Sequence, residues 1–470
     1  MKRFLLFFAA LFSIAAISAQ GHSWTLQQCI DSAVARNLQV RQRNLQAQAA
    51  GVNYSQARSN LLPFVNGNVG HSINQGRSID PFTNGYVNQQ INAANYSLNS
   101  DIILFNGMTL KNNIRRYNYE AQAAQQDIQQ EKETVTLNVI LSFLQVLNNE
   151  DIAAISKAQL AVTTLQVQRL EILNNEGSIA PPLLYDLRGQ QKGEEANLVN
   201  AFNNIETAKL DLLQLMNLPY DAAMTVVRDG SETLLQAYTV TADSVYQNAL
   251  QKMAIVKAAA LRTHSAEAAV KAAKGQYYPA IALNGNVGSN YSSFARKDNL
   301  IGASEVATES YVFVNGSKTP VLVMQNNYQS QKILYPDQIR NNISTSIGLG
   351  IRVPILNGMQ TRNQVKLARI TVKSFLLAEE NTKLLLQQAI ERAYLSMTNA
   401  RERYKALLEQ VAAYTESFRA AEVRFNAGAG TSEDYILAKS RLDNANLNLV
   451  LAKYDYILRT KVLDYYNGMQ

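Results

Sequence analysis

The stretch Met359–Phe425 reads MQTRNQVKLARITVKSFLLAEENTKLLLQQAIERAYLSMTNARERYKALLEQVAAYTESFRAAEVRF and contains no proline. Its apolar positions recur at alternating steps of four and three, a period near 3.5 that is typical of left-handed coiled coils. The repeating positions are Ala393, Met397, Ala400, Tyr404, Leu407, Val411, Tyr414, Phe418, Ala421 and Phe425. At about 1.5 Å per residue, one helix over this stretch would be roughly 100 Å long.

A second apolar stripe follows the two glycines Gly428 and Gly430. Its positions are Tyr435, Ala438, Leu442, Ala445, Leu449, Ala452, Tyr456 and Leu463. Glycine commonly ends a helix because it adopts the left-handed backbone conformation at no steric cost. The two stripes therefore predict a long α-helical hairpin whose tip lies at Gly428–Asp434.

The whole chain repeats this pattern once, which indicates an internal duplication. The matching segments are NGNVG at 66–70 and 284–288, NGM at 106–108 and 357–359, and the glycines Gly177 and Gly428. We assign residues 20–216 to repeat 1 and 242–470 to repeat 2, joined by an irregular linker at 217–241. The second copy has 33 additional residues between Gly288 and Ile343, which predict one longer loop (289–342) between its strands.

Each repeat is predicted to contain a helix, two strands, a long helix, a glycine tip and a returning helix. The first helices, Leu26–Leu62 and Ala242–Tyr278, are expected to end at Pro63 and Pro279, the helix-to-strand junctions. The long helices are predicted at Met108–Asn174 and Met359–Phe425. The returning helices are predicted at about Leu183–Met216 and Glu433–Tyr466.

The predicted strands alternate between apolar and polar residues with a period of two. The clearest is Ile343–Val353; the others are Ile281–Tyr291, Tyr96–Leu104 and, more weakly, Val65–Ile73. Lengths of about ten residues suit transmembrane β-strands with an apolar lipid face and a polar lumen face. A soluble antiparallel sheet would alternate in the same way, but strands flanked by such long helices would lack a second layer to pack against.

Residues 1–19 resemble a secretory signal peptide, with Lys2 and Arg3 before an apolar core. Cys29 is the only cysteine, so no disulfide within one chain is possible. The net charge of +7 is distributed along predicted helix faces, which does not indicate nucleic-acid binding. No segment has the 18 or more consecutive apolar residues of a transmembrane helix.

Four strands cannot close a barrel alone, and open strand edges are not tolerated in lipid because their amides would stay unpaired. The chain is therefore expected to associate with copies of itself. Two copies would supply eight strands and three would supply twelve. Four helix positions per chain, curving round a wide tube, suit three copies better. We thus predict a homotrimer with outer-membrane lipid around its strands.

This order of parts resembles the TolC-like outer-membrane efflux proteins, often called channel-tunnels, over essentially the whole mature chain. The resemblance implies a mainly α-helical fold with a β-barrel part: a twelve-stranded trimeric barrel in the outer membrane and a tunnel of coiled-coil α-hairpins in the periplasm. The linker at 217–241 would belong to an equatorial belt. The implied function is a passive exit duct, served by a periplasmic adaptor (membrane fusion) protein and an inner-membrane pump.

The resemblance also implies a periplasmic gate at the hairpin tips, formed by acidic side chains. Asp434, with Glu433 beside it, matches one gate aspartate, and Asp186 is the nearest counterpart in repeat 1. Alternatively, Glu433 and Asp434 simply favour a helix N-terminus. The chain departs from the family at Leu437, where some members carry a second aspartate, and at Gly430, where some carry an arginine.

The tip turns are where the family docks its adaptor, which here implies contacts by Gly177, Ser178, Gly428 and Gly430. No catalytic constellation, nucleotide-binding loop or metal-like spacing of His22, His71 and His264 is present. We therefore expect no enzyme, cofactor or metal. Two alternatives remain: an exit duct for type I protein secretion, and a periplasmic coiled-coil adaptor or scaffold.

Overall fold

A computed structural model describes residues 23–80, 83–228 and 238–468. The predicted signal peptide (1–19), His22 and residues 229–237 of the linker lie outside the described residues. The elements of repeat 1 and the linker, in chain order, are β1 Ser23–Trp24, α1 Leu26–Arg36, α2 Leu38–Ser59, β2 Phe64–Asn74, β3 Arg77–Ile79, β4 Tyr86–Asn88, β5 Ile91–Asn106, α3 Thr109–Asn175, α4 Pro181–Leu215 and β6 Thr225–Val226.

Repeat 2 has the same order of helices and core strands. Its elements are α5 Ala242–Lys252, α6 Ala254–Gly275, β7 Ala280–Ser292, β8 Arg296–Val314, β9 Ser317–Lys332, α7 Tyr335–Asn341, β10 Ser344–Arg352, α8 Gln360–Asn426 and α9 Ser432–Tyr466. The long helices α3 and α8 each have 67 residues and differ by one position from the predicted bounds. The junction prolines Pro63 and Pro279 stand directly before β2 and β7.

The first helix of each repeat is broken, which corrects the prediction of one continuous helix. Asn37 adopts an extended backbone (φ −60°, ψ 125°) between α1 and α2. Its side-chain oxygen accepts hydrogen bonds from the amides of Gln39 and Val40, at 2.8 and 3.0 Å. Asn37 therefore ends one helix and caps the next. Met253 has the same extended geometry between α5 and α6, so the break belongs to both repeats.

The chain divides into two compact units. Unit 1 contains the described residues of 1–53, 116–266 and 370–470, and unit 2 contains 54–115 and 267–369. Unit 1 is helical apart from the short parallel pair of β1 with β6, which joins the start of the described chain to the linker. Its largest apolar core includes Cys29, Phe143, Leu212, Met224 and Tyr454.

Unit 2 is built on one antiparallel sheet with the strand order β10-β7-β5-β2. The two strands of each repeat pair with each other, and β5 of repeat 1 pairs with β7 of repeat 2. The sheet therefore has two open edges, β2 and β10. Within the described parts of the chain, every helix is too short or too polar to pass through a lipid bilayer.

The predicted longer loop of repeat 2 contains regular structure, which corrects that expectation. β8 and β9 form a two-stranded antiparallel ribbon, and α7 follows before β10. Asn315 and Gly316 turn the ribbon with positive φ of 52° and 81°, as a two-residue hairpin of type I′ requires. The Asn-Gly pair was visible in the sequence, but the polar residues at the base of the ribbon concealed the strands.

Candidate functional site

The tips of both hairpins close with the same backbone geometry. We call α3 with α4 hairpin 1, and α8 with α9 hairpin 2. Gly177 and Gly428 have φ of 72° and 71°. The amide of the residue after each glycine donates to the carbonyl five residues back, at 2.8 and 2.9 Å respectively. This is the Schellman ending of a helix, which explains why glycine occupies both positions.

Three of the four residues predicted to meet an adaptor lie on the surface of the tips. Gly177, Ser178 and Gly428 are exposed, and a side chain at either glycine would meet no neighbour within 4 Å. Gly430 is half-buried, and a Cβ there would lie 3.1 Å from the backbone nitrogen of Phe425. Gly430 thus permits a close approach of the chain, whereas Gly177 and Gly428 provide the turn.

The predicted gate carboxylates lie at the start of the returning helices. Glu433 and Asp434 are exposed in the first turn of α9, where Thr431 accepts a 3.1 Å hydrogen bond from the Asp434 amide. Both therefore favour the helix N-terminus, as the alternative interpretation expects. Asp186 is exposed too, but it is the sixth residue of α4, one turn further along its helix. Among the described residues, no group of three or more potential metal ligands occurs.

Apolar packing holds the ends of the two hairpins together. Leu170 and Leu187 of hairpin 1 are buried, and Phe425 and Ile436 of hairpin 2 pack against the cluster that contains them. Tyr435 is buried and stacks on Phe425, with ring centroids 4.9 Å apart. Burial raises the pKa of the Tyr435 hydroxyl to about 12, so this ring stays neutral at physiological pH.

One polar link joins the tips near the positions at which the chain departs from the family pattern. Arg169 of hairpin 1 donates a hydrogen bond to the side-chain oxygen of Asn426 in hairpin 2. Gly430 contributes no side chain there, and Leu437 is exposed. An arginine is thus present at the tips, but on the opposite hairpin.

A buried ionic cluster, further from the tips, also joins the hairpins. The Lys439 side chain of hairpin 2 is 3% exposed, and its ammonium lies 2.9 Å from Glu194 of hairpin 1. It also lies 2.5 Å from Asp443, four residues along its own helix. Thr163 and Gln190 donate further hydrogen bonds to Glu194, at 2.6 and 3.0 Å. This cluster could not be predicted from the sequence, because its two halves are far apart in the chain.

The ionic cluster borders a cavity of about 360 Å³ between the hairpins. Burial raises the pKa of the Asp443 carboxyl, although the Lys439 ammonium opposes that shift. Burial therefore disfavours the ionised form of Asp443, and the positive charge of Lys439 stabilises that form.

The sheet of unit 2 has one apolar and one polar face, as the alternation predicts. The pairing places Leu98, Val287 and Ile347 on one face, each with its apolar side chain exposed. On the other face, Asn286 donates to the Asn99 side chain at 2.5 Å, and Asn284 donates to Asp101 at 2.5 Å. Amide side chains thus cross the strands in rows. This arrangement fits a wall with lipid on one side and water on the other.

The family model described as outer membrane efflux protein matches residues 29–218 and 245–464. Outer membrane protein TolC of Escherichia coli (strain K12) is 23% identical over 471 residues, covering 97% of this chain and 85% of that protein. Outer membrane efflux protein BepC of Brucella suis biovar 1 is 27% identical over 203 residues, covering 39% of this chain and 43% of that protein.

Solved structures show the same fold at low sequence identity. The structure of CusC superimposes with a TM-score of 0.75 at 15% identity, covering 95% of this chain and 92% of that chain. VceC from Vibrio cholerae superimposes with a TM-score of 0.73 at 15% identity, covering 95% of this chain and 97% of that chain.

Proposed function

Because this chain belongs to the outer membrane efflux protein family, we propose that its role as an outer-membrane exit duct is performed by a homotrimer that works with a periplasmic adaptor and an inner-membrane pump. The observation that carries the proposal is the two-faced sheet with its two open edges. Family membership removes the adaptor and scaffold interpretation.

The apolar face of the sheet is long enough along its strands to cross the apolar layer of an outer membrane. From Ile281 to Tyr291 the strand β7 rises about 33 Å, which a tilt of about 40° reduces to roughly 25 Å across the bilayer. That height equals the apolar band of known outer-membrane barrels. The chain's unpaired edge strands cannot remain open at that depth, because their amides would have no partner in lipid.

The internal duplication supplies a residue-level prediction for how the edges close. In repeat 1, Gly67 of β2 pairs with Leu98 of β5. In repeat 2, the matching Gly285 of β7 pairs with Ile347 of β10. Leu98 and Ile347 are therefore equivalent positions on the second strands of the two repeats.

The strand pairing between the two repeats of one chain then predicts the strand pairing between neighbouring chains. Leu98 pairs with Val287 across the junction of the repeats, and Val287 is equivalent to Val69 through the shared NGNVG segment. By the same symmetry, Ile347 of one copy is expected to pair with Val69 of the next copy. Both side chains then lie on the apolar face, as a shared barrel requires.

Disulfide cross-linking tests this register. Cys29 is buried, so the background is clean. Val69→Cys together with Ile347→Cys is expected to give covalent trimers under oxidation, because paired strands bring the Cβ atoms within disulfide distance. In the matched control, Val69→Cys with Gly348→Cys, the two thiols face opposite sides of the sheet and should not react. Absence of cross-linking in the first variant would refute the proposed closure.

No part of the described chain suggests an energy source of its own, so we propose that substrates are driven by the pump and pass through the duct passively. The exposed tips carry Gly177, Ser178 and Gly428 without obstruction by neighbouring side chains, which fits a docking surface for adaptor hairpins. Bulky variants at Ser178 should weaken adaptor capture while leaving the assembly intact. Unchanged capture would remove the tips from the docking surface.

A further inference from the structure

The β8–β9 ribbon (residues 296–332) is the part of the chain that the duct function does not use. Its strands have 19 and 16 residues and pair with each other from Arg296↔Lys332 to Val314↔Ser317. It leaves the sheet after Ser292, at the end opposite to the helices that precede β7. In an outer-membrane duct this is the outer mouth.

The ribbon is polar near the sheet and apolar near its turn. Near the sheet it carries mainly charged and amide side chains, such as Asp298 and Asn327. The tip segment, residues 306–324, exposes large apolar side chains. These are Tyr311, Val312, Phe313, Val314, Leu322, Val323 and Met324, with Phe313 and Met324 each 65% exposed.

Apolar residues occupy both faces of the tip segment. Val306 pairs with Val323 on one face, and the adjacent pair, Ala307 with Leu322, lies on the other. Such a segment needs covering on two sides. Both strands are also edge strands with unpaired backbone groups. Lipid could cover the side chains but could not satisfy these backbone groups, whereas another polypeptide can do both.

We propose that the tip segments of the three ribbons bind one another above the outer mouth; this inference rests on the proposed homotrimer. The ribbon continues through α7 into β10, the edge strand. Each ribbon is thus anchored beside a subunit boundary. Tethering of this kind gives effective concentrations on the order of millimolar, so that weak apolar contacts are sufficient.

The charges of the tip segment allow this association. Glu309 and Lys318 are the only charged residues in the sequence of the tip segment, so each copy carries no net charge there. The Lys318 ammonium lies 4.2 Å from the centre of the Tyr311 ring, so it already covers part of that side chain. Three tip segments without net charge do not repel one another, and any remaining interaction between their exposed charges is screened by salt.

Mutual contact among three equivalent tips places them on the symmetry axis, because each tip must meet both of the others in a closed arrangement. The ribbons then cover the exit of the duct. The tip contacts become a restriction at the outer mouth that does not involve the hairpin tips.

A cysteine near the turn tests the inference in the full-length assembly in detergent. Ser317→Cys should give covalent dimers on oxidation, with one chain in three left single, since each chain carries one thiol. The matched control, Ser330→Cys at the polar base of the ribbon, should give none. Adding Phe313→Asp to Ser317→Cys should abolish the dimer if apolar contact holds the tips.

The cross-link between Val69→Cys and Ile347→Cys separates the two proposals. If that link forms and Ser317→Cys gives no dimer, the ribbon inference is wrong and the homotrimer stands; a lipid-bound or foreign-partner ribbon is then the explanation. If neither forms, the homotrimer itself fails. Equal reaction at Ser317→Cys and Ser330→Cys would also overturn the inference, since contact would not be confined to the tips.

Conductance tests the consequence for transport. Replacing residues 307–322 with an Asn-Gly turn keeps the Val306–Val323 pair and removes the tip. The shortened ribbon should raise single-channel conductance in planar bilayers. Unchanged conductance would show that the tips do not restrict the exit.

Discussion

Lys439→Met tests whether the buried ionic cluster holds hairpin 2 against hairpin 1. The substitution keeps a long side chain but leaves Glu194 and Asp443, which are 12% and 20% exposed, without their shared cation. Removing one partner of a buried ion pair commonly costs about 3–5 kcal/mol. Since water reaches both carboxylates in part, we expect about 2–3 kcal/mol here.

The loss of stability caused by Lys439→Met should depend on pH in a defined direction. Without Lys439 the pKa of the Asp443 carboxyl rises further in the folded state, because the ammonium no longer opposes the effect of burial. The folded protein then binds more protons than the unfolded chain. The deficit relative to wild type should therefore be largest near pH 7 and shrink as pH falls towards about 4. Native-state hydrogen exchange of amides in α4 and α9 measures the local free energy of opening.

Lys192→Met is the matched control for this experiment. Lys192 also pairs with a glutamate, at 2.6 Å, but its side chain is 75% exposed. Its loss should cost less than about 1 kcal/mol, because solvent screens an exposed pair. Equal effects of the two substitutions, or a deficit at Lys439 that does not change with pH, would refute the reasoning.

Three further predictions concern the gate, the helix junction and the cluster. Asp434→Asn should raise the concentration of divalent cation that half-blocks the channel by about tenfold, or ~1.4 kcal/mol; unchanged block in bilayer recordings would exclude Asp434 from the gate. Gly275→Ala should lower the melting temperature, because its Cβ would lie 2.5 Å from the Gly107 carbonyl oxygen. Gly51→Ala, in a helix with open space around it, should instead stabilise by up to about 1 kcal/mol. Asp443→Asn should become more stable relative to wild type as pH rises above about 4, because burial raises the pKa of the Asp443 carboxyl in the folded state. A difference in melting temperature between variant and wild type that does not change with pH would contradict this.

The long helices and the four core strands could be predicted from the sequence because local patterns determine them. The residues of the apolar stripe from Ala393 to Phe425 occupy buried or half-buried positions of α8. The alternation in β7 and β10 likewise gives the two faces of the sheet. Gly177 and Gly428 could be identified as tips because a Schellman ending requires a left-handed residue.

The remaining features depend on contacts that local patterns do not encode. Asn37 breaks a helix through its own side-chain cap, although the apolar spacing continues across it. Lys439 is buried because a glutamate from the other hairpin reaches it, and a single charged residue in a helix is ordinarily a solvated one. The ribbon was hidden by its polar base, although Asn315-Gly316 is a strong hairpin signal. The gate role of Asp434, Glu433 and Asp186 stays a prediction.

The mass of the detergent-extracted protein, corrected for bound detergent, tests the central claim most directly. Three chain masses are predicted, since three copies of the four-stranded sheet close twelve strands without a free edge. A single chain mass, or a protein that stays in solution without detergent, would contradict the account, because the apolar face of the sheet could then not be facing lipid.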